Sequence, residues 1–399
     1  MGDFLPEVVD WVSGFSVGLP VFIAPAIGGL IVSVIYLIDR DALGAGTRNY
    51  LNAVNLYQGK IHRRTWLTKL LASSATIGFR GSGGFEGPML LMGGSLGNLL
   101  NKLPVITRWI DKNDQRILAV CGAAGAIGAI FRSPLGGGIF AAEILYKSSI
   151  HYEDVFPAIL SSTMGFVIYT TLGSADPLFS IPAHLPEPTN VGYFIIAGLV
   201  AGFVSLLFMT VLHKVDHLAD WLDGKRMGRF LPIIGGLLTG VILIPFPEAG
   251  GVGSNFIQEL FNQSFTTHFL ILILLAKILS TSFTVGFKSS AGFVIPALFI
   301  GATIGSILAN LFTADIGLAS SLIIAGMSAS LAAIANVPIA SSIILIEMAG
   351  FHVGVAAVVG SVIGYTVAKR RNIYLTTNRE EPYFRKGKEF RKQDRYFKR

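Results

Sequence analysis

Apolar residues run through almost the whole chain and are interrupted only by short polar segments. The apolar stretches cover roughly residues 15–38, 67–100, 117–146, 155–173, 191–213, 231–246, 268–312 and 318–368. Several are longer than the about 20 residues that one membrane-spanning helix needs, but glycine and proline divide them into pieces too short to span. We therefore predict half-helices that end inside the membrane. Irregular backbone cannot face lipid, so the breaks must line a cavity or pack against protein. They are expected at Gly83–Gly84, Pro88, Pro134, Gly292, Pro296 and Pro338.

Two segments of the chain, 69–100 and 277–308, are copies of one sequence. They match at 14 of 32 positions at a constant offset of 208. Residues 122–143 and 326–347 repeat in the same way, with glycine, proline and glutamate in step. Paired apolar segments that glycine and proline interrupt at corresponding places in two halves indicate a substrate site near the middle of the bilayer.

The segments that lead into the two copies differ in charge. Residues 60–69 carry four Lys/Arg, whereas residues 258–269 carry none. Basic residues favour the cytoplasmic side of a membrane, so the two copies are expected to enter from opposite sides. We predict an inverted-topology repeat with broken and re-entrant helices, in halves of about 20–175 and 190–368.

Composition supports an all-α polytopic membrane protein. The chain is 52% hydrophobic and 14% charged, with a mean hydropathy of +0.62, which is typical of integral membrane proteins rather than soluble ones. From Lys369 onward there are 12 Lys/Arg against 4 Asp/Glu. We predict a basic cytoplasmic tail at 377–399 on a multi-pass protein of the cell membrane, in contact with anionic lipid rather than nucleic acid.

Glycine-rich turns that open helices are the candidate chemistry of this chain. Such turns aim unpaired backbone N–H groups and the positive end of a helix at one point, which attracts anions. Four half-helix N-termini that converge near the midplane would hold a small anion without a full opposite charge, and would so permit its release. The turns come in pairs: Gly44-Ala45-Gly46-Thr47 matches Gly251-Val252-Gly253-Ser254, and Gly84-Phe85-Glu86-Gly87-Pro88 matches Gly292-Phe293-Val294-Ile295-Pro296.

The two copies differ at one informative position. Where the second copy has Val294, the first has Glu86, a carboxylate inside an apolar run at the start of a half-helix. An ionisable residue within the membrane indicates a functional role by default. The carboxylate can occupy the pocket of a substrate anion, and on protonation it becomes neutral and can swing away. We therefore predict that Glu86 is a gate and a proton carrier rather than only a helix cap. Glu143 and Glu347, at equivalent positions of the second repeat block, are interpreted as structural partners of backbone or basic groups.

A family resemblance rests on these motifs. The runs GFEGP at 84–88, GFVIP at 292–296 and GAG at 44–46, with the two helix blocks that end in Glu143 and Glu347, resemble the CLC family of chloride channels and chloride/proton exchangers. The resemblance extends from about residue 20 to residue 376.

The resemblance implies that Glu86 is the external gate of an anion pathway. It also implies that the backbone amides of Phe293 and Val294 and the side chain of Tyr374 line the central anion site, in a homodimer with one pore per subunit. The predicted anion-binding residues are Gly44, Ala45, Gly46, Thr47, Gly84, Phe85, Gly87, Gly292, Phe293, Val294 and Tyr374.

Three departures from the family pattern change the expectations. Ala45 stands where the family usually has a serine, followed by Thr47 and Arg48, so selectivity among chloride, nitrate and fluoride is open. Ile144 follows Glu143 where exchangers typically carry an internal proton glutamate, which favours an uncoupled channel, although some exchangers also lack it. The chain ends 25 residues after Tyr374, so the paired CBS domains of many relatives, and nucleotide regulation through them, are not expected.

Other functions have weaker support. Gly81-Ser82-Gly83 is similar to the serine motif of an intramembrane rhomboid-type protease, but Ser290 repeats it without catalytic need, and no histidine lies at a suitable depth. His213, Asp216, His217 and Asp220 have helical spacing, but a polar helix face is favoured over a metal site. A different inverted-repeat carrier of a larger anion is the main competitor within transport.

We predict anion transport, with chloride/proton exchange through the Glu86 gate favoured over an uncoupled channel. No enzymatic activity, cofactor or metal is expected. The expected partners are chloride, protons if transport is coupled, a second copy of the chain and membrane lipids.

Overall fold

The computed structural model describes residues 4–101, 103, 112–146, 150–172, 177–181, 190–313, 315–371 and 373–374, so the predicted tail at 377–399 lies outside the described residues. Within these ranges the chain forms sixteen α-helices and no β-strand. The first eight are α1 Phe4–Ser16, α2 Ala24–Tyr36, α3 Thr47–Leu56, α4 Thr65–Gly78, α5 Glu86–Leu100, α6 Lys112–Phe131, α7 Pro134–Glu143 and α8 Tyr152–Leu172. The second eight are α9 Val191–Leu222, α10 Leu231–Leu243, α11 Ser254–Asn262, α12 Thr267–Gly286, α13 Val294–Phe312, α14 Ile316–Ala335, α15 Pro338–Ala349 and α16 Gly354–Ala368.

Seven of the described helices are long and apolar enough to cross a membrane: α6, α8, α9, α12, α13, α14 and the segment containing α16. The others are shorter, and several meet end to end with a partner. The fold is therefore that of a multi-span membrane protein with broken helices, as the sequence predicts. The core lies around α14, 94% of whose spanning window is buried, whereas the corresponding share for α8 is 11%.

The breaks between paired half-helices have a common cause. α4 ends at Gly78 and α12 at Gly286, and two residues later Arg80 and Lys288 adopt left-handed backbone conformations, with φ of 64° and 69°. These conformations turn the chain out of the helix. Arg132 and Asn336, with φ of 51° and 61°, do the same before α7 and α15.

Two predicted break points differ in detail. Pro88 and Pro296 do not interrupt their helices but occupy the third position of α5 and α13, which begin at Glu86 and Val294. Backbone N–H groups in the first turn of a helix have no hydrogen-bond partner within the helix, so proline, which lacks this group, is tolerated there. Pro134 and Pro338, in contrast, are the first residues of α7 and α15, as expected.

Hydrogen bonds between the halves come in symmetric pairs. The backbone N–H of Ser82 donates to Thr284 Oγ1 over 3.1 Å, and the N–H of Ser290 donates to Thr76 Oγ1 over 3.0 Å. Each bond is the image of the other at the repeat offset. Gly84 and Gly292 exchange backbone hydrogen bonds in an antiparallel bridge, with N···O distances of 3.0 and 2.7 Å. An antiparallel, reciprocal contact between matching residues is what halves of opposite orientation produce.

Glycine at two equivalent positions lets neighbouring helices approach closely. A Cβ added at Gly93 of α5 would lie 2.3 Å from the carbonyl oxygen of Gly122 of α6, and one at Gly301 of α13 would lie 2.2 Å from that of Gly326 of α14. Close backbone contact at small residues is the usual way in which membrane helices associate. These crossings fix where α5 and α13 begin relative to the rest of each half.

Candidate anion site

Glu86 is the first residue of α5 and lies at the interface between the halves. Its side chain is 1% exposed. One carboxylate oxygen, Oε1, accepts a hydrogen bond from the backbone N–H of Val294, and the N–H of Ile295 also faces the carboxylate. The other oxygen, Oε2, has no hydrogen-bond partner among the described residues. A carboxyl oxygen thus occupies the positive N-terminal end of α13, a position that attracts anions.

Two glycines make room for this carboxylate. A Cβ at Gly84 would lie 2.2 Å from Oε2 of Glu86, and a Cβ at Gly292 would lie 2.5 Å from Oε1. Both distances are far below van der Waals contact, so a larger residue at either position would displace the carboxylate. Phe85 precedes Glu86 as the cap residue of α5 and is half-buried.

The turn at 44–47 lies against the start of α5. Gly44 and Gly46 have φ of 66° and 84°, which glycine adopts without steric cost. A Cβ at Gly87 would lie 2.2 Å from the carbonyl oxygen of Ala45 and 2.9 Å from Thr47 Oγ1. The N-termini of α3 and α5 are therefore in direct contact, as predicted for two of the converging half-helices.

Tyr374 follows the last helix and returns to this region. Its side chain and that of Thr47 are hydrogen-bonded, and its ring centroid lies 6.4 Å from that of Phe293. Burial raises the pKa of the Tyr374 hydroxyl above its ordinary value. The hydroxyl therefore stays neutral at physiological pH and can act as a hydrogen-bond donor.

A cavity of about 290 Å³ opens beside these residues. Its wall contains five of the predicted anion-binding residues: Gly44, Ala45, Gly46, Phe293 and Tyr374. The remaining predicted residues are not on this wall but contact residues that are, or contact each other: Thr47, Gly84, Phe85, Gly87, Gly292, Val294 and the predicted gate Glu86.

The predicted fourth N-terminus is not part of this cavity. None of residues 251–254 is on its wall. The carbonyl oxygen of Gly251 instead accepts the N–H of Gly83 over 3.1 Å, and α11 begins against Phe299 of α13, where Gly253 makes a close approach. The convergence of four N-termini on one anion therefore stays a prediction for this turn, which contacts the first copy through Gly83 and not through the cavity wall.

Two buried lysines, for which no role was predicted, hold the paired turns at 44–47 and 251–254. Lys69 Nζ donates to the carbonyl oxygens of Ala42, Leu43 and Gly44, at 3.0, 3.4 and 2.6 Å. Lys277 Nζ donates in the same way to Ala249, Gly251 and Val252, at 3.2, 3.2 and 3.3 Å. The signal was present in the sequence, since both copies of the repeat begin with lysine.

Glu143 and Glu347 cap each other's helices. The carboxylate of Glu143 accepts from the N–H groups of Ile339 and Ala340 at the start of α15. That of Glu347 accepts from Leu135 and Gly136 at the start of α7. This confirms their interpretation as structural partners of the backbone. Ile144, the next residue after Glu143, is buried.

The side chains that suggested a serine protease or a metal site have other hydrogen-bond or ion-pair partners. Ser82 Oγ is hydrogen-bonded to Thr281 Oγ1 over 2.8 Å, and its counterpart Ser290 to Ser73 over 3.0 Å, so both hydroxyls link the halves. Asp216 of the suggested metal cluster contacts Lys288, and no group of metal-ligating residues occurs in the part of the chain that the structure describes.

Known proteins of similar sequence and fold identify the relatives of this chain. The sequence profile of the family described as voltage gated chloride channel matches residues 27–369. An uncharacterized protein of Methanocaldococcus jannaschii is 32% identical over 353 residues, which cover 87% of this chain and 84% of that protein. The H(+)/Cl(−) exchange transporter ClcA of Vibrio cholerae is 26% identical over 358 residues, covering 85% and 75%.

The fold has solved counterparts. The crystal structure of a slow cyanobacterial Cl−/H+ antiporter superposes with a TM-score of 0.78 at 24% sequence identity, covering 93% of this chain and 91% of the other. At this identity the similarity concerns the fold, an inverted repeat of broken helices.

Proposed function

Because the chain belongs to the voltage-gated chloride channel family, we propose that it transports chloride across the cell membrane in exchange for protons, with Glu86 as the gate. The observation that carries this proposal is the buried carboxylate of Glu86 on the backbone N–H of Val294. An anionic oxygen fills the place that the helix end offers to an anion, so chloride and the carboxylate compete for one position.

Protonation is the step that releases the gate. A protonated Glu86 has no charge to hold it at the positive end of α13, and the N–H of Val294 becomes free to bind chloride. The same side chain carries the proton, so chloride entry and proton movement are linked through one group. Removal of the carboxyl proton then restores the competing anion.

The central anion site of the proposal is the region where α3, α5 and α13 begin. Backbone N–H groups supply its donors, and the neutral hydroxyl of Tyr374 adds one more. Such a site binds through partial charges, which is strong enough for selectivity and weak enough for release. The residues assigned to it are Gly44, Ala45, Gly46, Thr47, Gly84, Phe85, Gly87, Gly292, Phe293, Val294 and Tyr374.

Exchange is preferred to passive conduction for two reasons. The relative from Vibrio cholerae is an H(+)/Cl(−) exchange transporter, and the cyanobacterial structure is of a Cl−/H+ antiporter. The ionisable gate supplies the group that coupling requires. The alternative is an uncoupled channel for chloride or another small anion, and its support is Ile144, a buried apolar residue where an internal proton glutamate would stand.

The proposed assembly is a homodimer. α7 and α15 have only 10 and 12 residues and pack against each other and against α8 and α16. Large apolar side chains are exposed along this face, among them Leu135, Phe156, Leu160, Ile339 and Val358. Helices too short to span match lipid poorly, whereas a second copy of the same face would cover them.

Flux in reconstituted vesicles tests the proposal. Purified protein in vesicles loaded with chloride should release it down its gradient and drive measurable proton uptake, while protein-free vesicles should do neither. Chloride flux without proton uptake would establish the channel alternative. Parallel measurements with nitrate, fluoride, sulfate and an organic anion define selectivity, and transport of only the larger anions would contradict the proposal.

A further inference from the structure

The cavity beside the proposed anion site has a charged wall that the proposed transport cycle does not use. Arg48, Asp216 and Lys288 line it, together with Arg40, Asp41 and His213. The side chains of Arg48, Asp216 and Lys288 are 43%, 22% and 23% exposed. Charges that are partly shielded from water interact more strongly than charges on an open surface. We call Arg48, Asp216 and Lys288 the mouth cluster.

The mouth cluster joins three separate elements through one carboxylate. Arg48 lies in the first turn of α3, Asp216 lies on α9, and Lys288 lies in the loop before α13. Asp216 Oδ1 contacts Lys288 Nζ, and its Oδ2 lies 3.8 Å from Arg48 Nη2. Asp216 therefore contacts two cations that belong to opposite halves of the molecule, and it shares one of them, Lys288, with Asp220 of the same helix.

Both cations are fixed next to the central site by backbone contacts. The carbonyl oxygen of Lys288, a residue in the left-handed conformation, accepts the N–H of Gly44 over 3.0 Å. Arg48 directly follows Thr47, which is hydrogen-bonded to Tyr374. The cavity wall beside the proposed central site therefore carries two positive side chains, and the backbone of Lys288 is tied to the turn at 44–47.

We propose that Arg48 and Lys288 form an outer binding site for a small monovalent anion, and that Asp216 is a built-in competitor for it. This inference rests on the proposed transport of chloride. Without Asp216, the two cations would bind an anion strongly and its release would be slow. With Asp216 present, its carboxylate replaces the anion as the partner of both cations when the anion leaves. Asp216 thus competes with an anion at the mouth of the cavity, as Glu86 is proposed to compete with one at the central site.

Asp216→Asn tests the competition, because it removes the charge of the competitor and keeps its shape. The chloride concentration that gives half-maximal flux in vesicles should fall by about three- to tenfold, the size expected for one partly screened charge pair. Asp220→Asn is the matched control. Asp220 also pairs with Lys288, at 2.9 Å and on the same helix, but it is 59% exposed and not part of the cavity wall. Its removal should change the half-maximal concentration less than twofold.

The opposite change gives an independent test. Arg48→Gln removes one cation of the outer site from a half-exposed position, and it should raise the half-maximal chloride concentration several-fold. Combined with Asp216→Asn, it should return the value toward that of the wild type, since site and competitor are both weakened. Equal shifts for Asp216→Asn and Asp220→Asn would indicate a long-range field and would overturn the proposal, as would no shift in either.

A purely structural role for the mouth cluster would look different. Asp216→Asn would then lower the apparent melting temperature and the amount of active protein, but leave the half-maximal concentration where it was, and the outer site would be rejected. If the wild-type protein showed no chloride flux, the proposed function itself would be contradicted. The two failures are therefore distinguishable in one set of vesicles.

Discussion

The turns at 44–47 and 251–254 have the same sequence pattern and the same lysine contact, but only the first lies on the wall of the 290 Å³ cavity. Their surroundings explain the difference. The charge of Lys69 interacts with the carboxylates of Asp41 and Asp39, whereas that of Lys277 interacts with the carboxylate of Glu86. The repeat thus supplies a symmetric scaffold, and residues that differ between its copies, such as Glu86 and Val294, make the two halves chemically unlike.

The two copies of the repeat differ most in their chemistry where the first has Glu86 and the second has Val294. Glu86→Gln cannot release a proton and carries no charge to compete with chloride, so we expect complete loss of proton coupling and of the pH dependence of chloride flux. Vesicle flux measured over a pH series checks both. Glu347→Gln is a control that alters a helix-capping carboxylate: it should lower thermal stability and keep the pH dependence. Proton-coupled, pH-sensitive flux in Glu86→Gln would contradict the assignment of the gate.

The two lysines allow a direct comparison of the turns. Lys69→Met and Lys277→Met each leave buried carbonyl oxygens without a donor, which should cost about 1–3 kcal/mol and lower the apparent melting temperature in detergent. Only Lys69→Met should also weaken chloride binding, by about tenfold or more, because it loosens the turn on the cavity wall.

Calorimetric titration with chloride separates the two variants. Lys277→Met should change the chloride affinity by less than about threefold. Loss of the Lys277 charge weakens the attraction for chloride, but it weakens the attraction for the competing Glu86 carboxylate as well. An equal loss of affinity in both variants would mean that the two turns contribute alike, and the functional difference between the halves would have to be abandoned.

Gly292→Ala sharpens the comparison at the symmetry axis itself. The new Cβ would lie 2.5 Å from Glu86 Oε1 and 2.7 Å from the backbone nitrogen of Gly87. Overpacking of this kind costs about 1–3 kcal/mol, and we expect the Glu86 side chain to move rather than the backbone. We expect faster chloride leak at neutral pH with weaker coupling. Gly192→Ala, where nothing lies within 4 Å of the added Cβ, is the matched control and should behave like the wild type.

The smallest expected effect concerns single hydroxyl groups on the cavity wall. Ala45→Ser adds a donor worth about 0.5–1.5 kcal/mol, so chloride affinity should rise by up to about tenfold. Tyr374→Ala removes both a donor and part of the wall and should lower affinity. Titration of both variants in one buffer and lipid mixture measures the changes. Unchanged affinity in both would show that neither residue faces the anion.

Local signals in the sequence predicted most of the fold. Glycines and prolines lie within a few positions of the breaks, so the half-helices at Glu86, Pro134, Val294 and Pro338 could be found from composition and repeats. The repeat also predicted which segments would pair across the halves, because matching residues meet at a symmetry axis.

Contacts between distant residues could not be predicted in this way. The pairing of Asp216 with Arg48 and Lys288 depends on how α9 packs against two other elements, and no periodicity in the sequence encodes that packing. The absence of residues 251–254 from the cavity has the same origin, since symmetry of sequence does not require both copies to approach the axis. The roles of Lys69 and Lys277 were within reach, because an identical charged residue in two apolar segments needs a common partner.

The hydrogen bonds that join the halves also constrain how the protein is made. The carboxylate of Glu86 accepts from a residue 208 positions further along the chain, and that of Glu143 accepts from residues 196 and 197 positions further along. At a synthesis rate of about 5–20 residues per second, the first half waits about 10–40 s in the membrane for these donors. During that interval its polar groups need water, lipid headgroups or a chaperone. We therefore expect substitutions that expose polar groups of the first half to reduce the yield of membrane-inserted protein, even when the finished protein is stable.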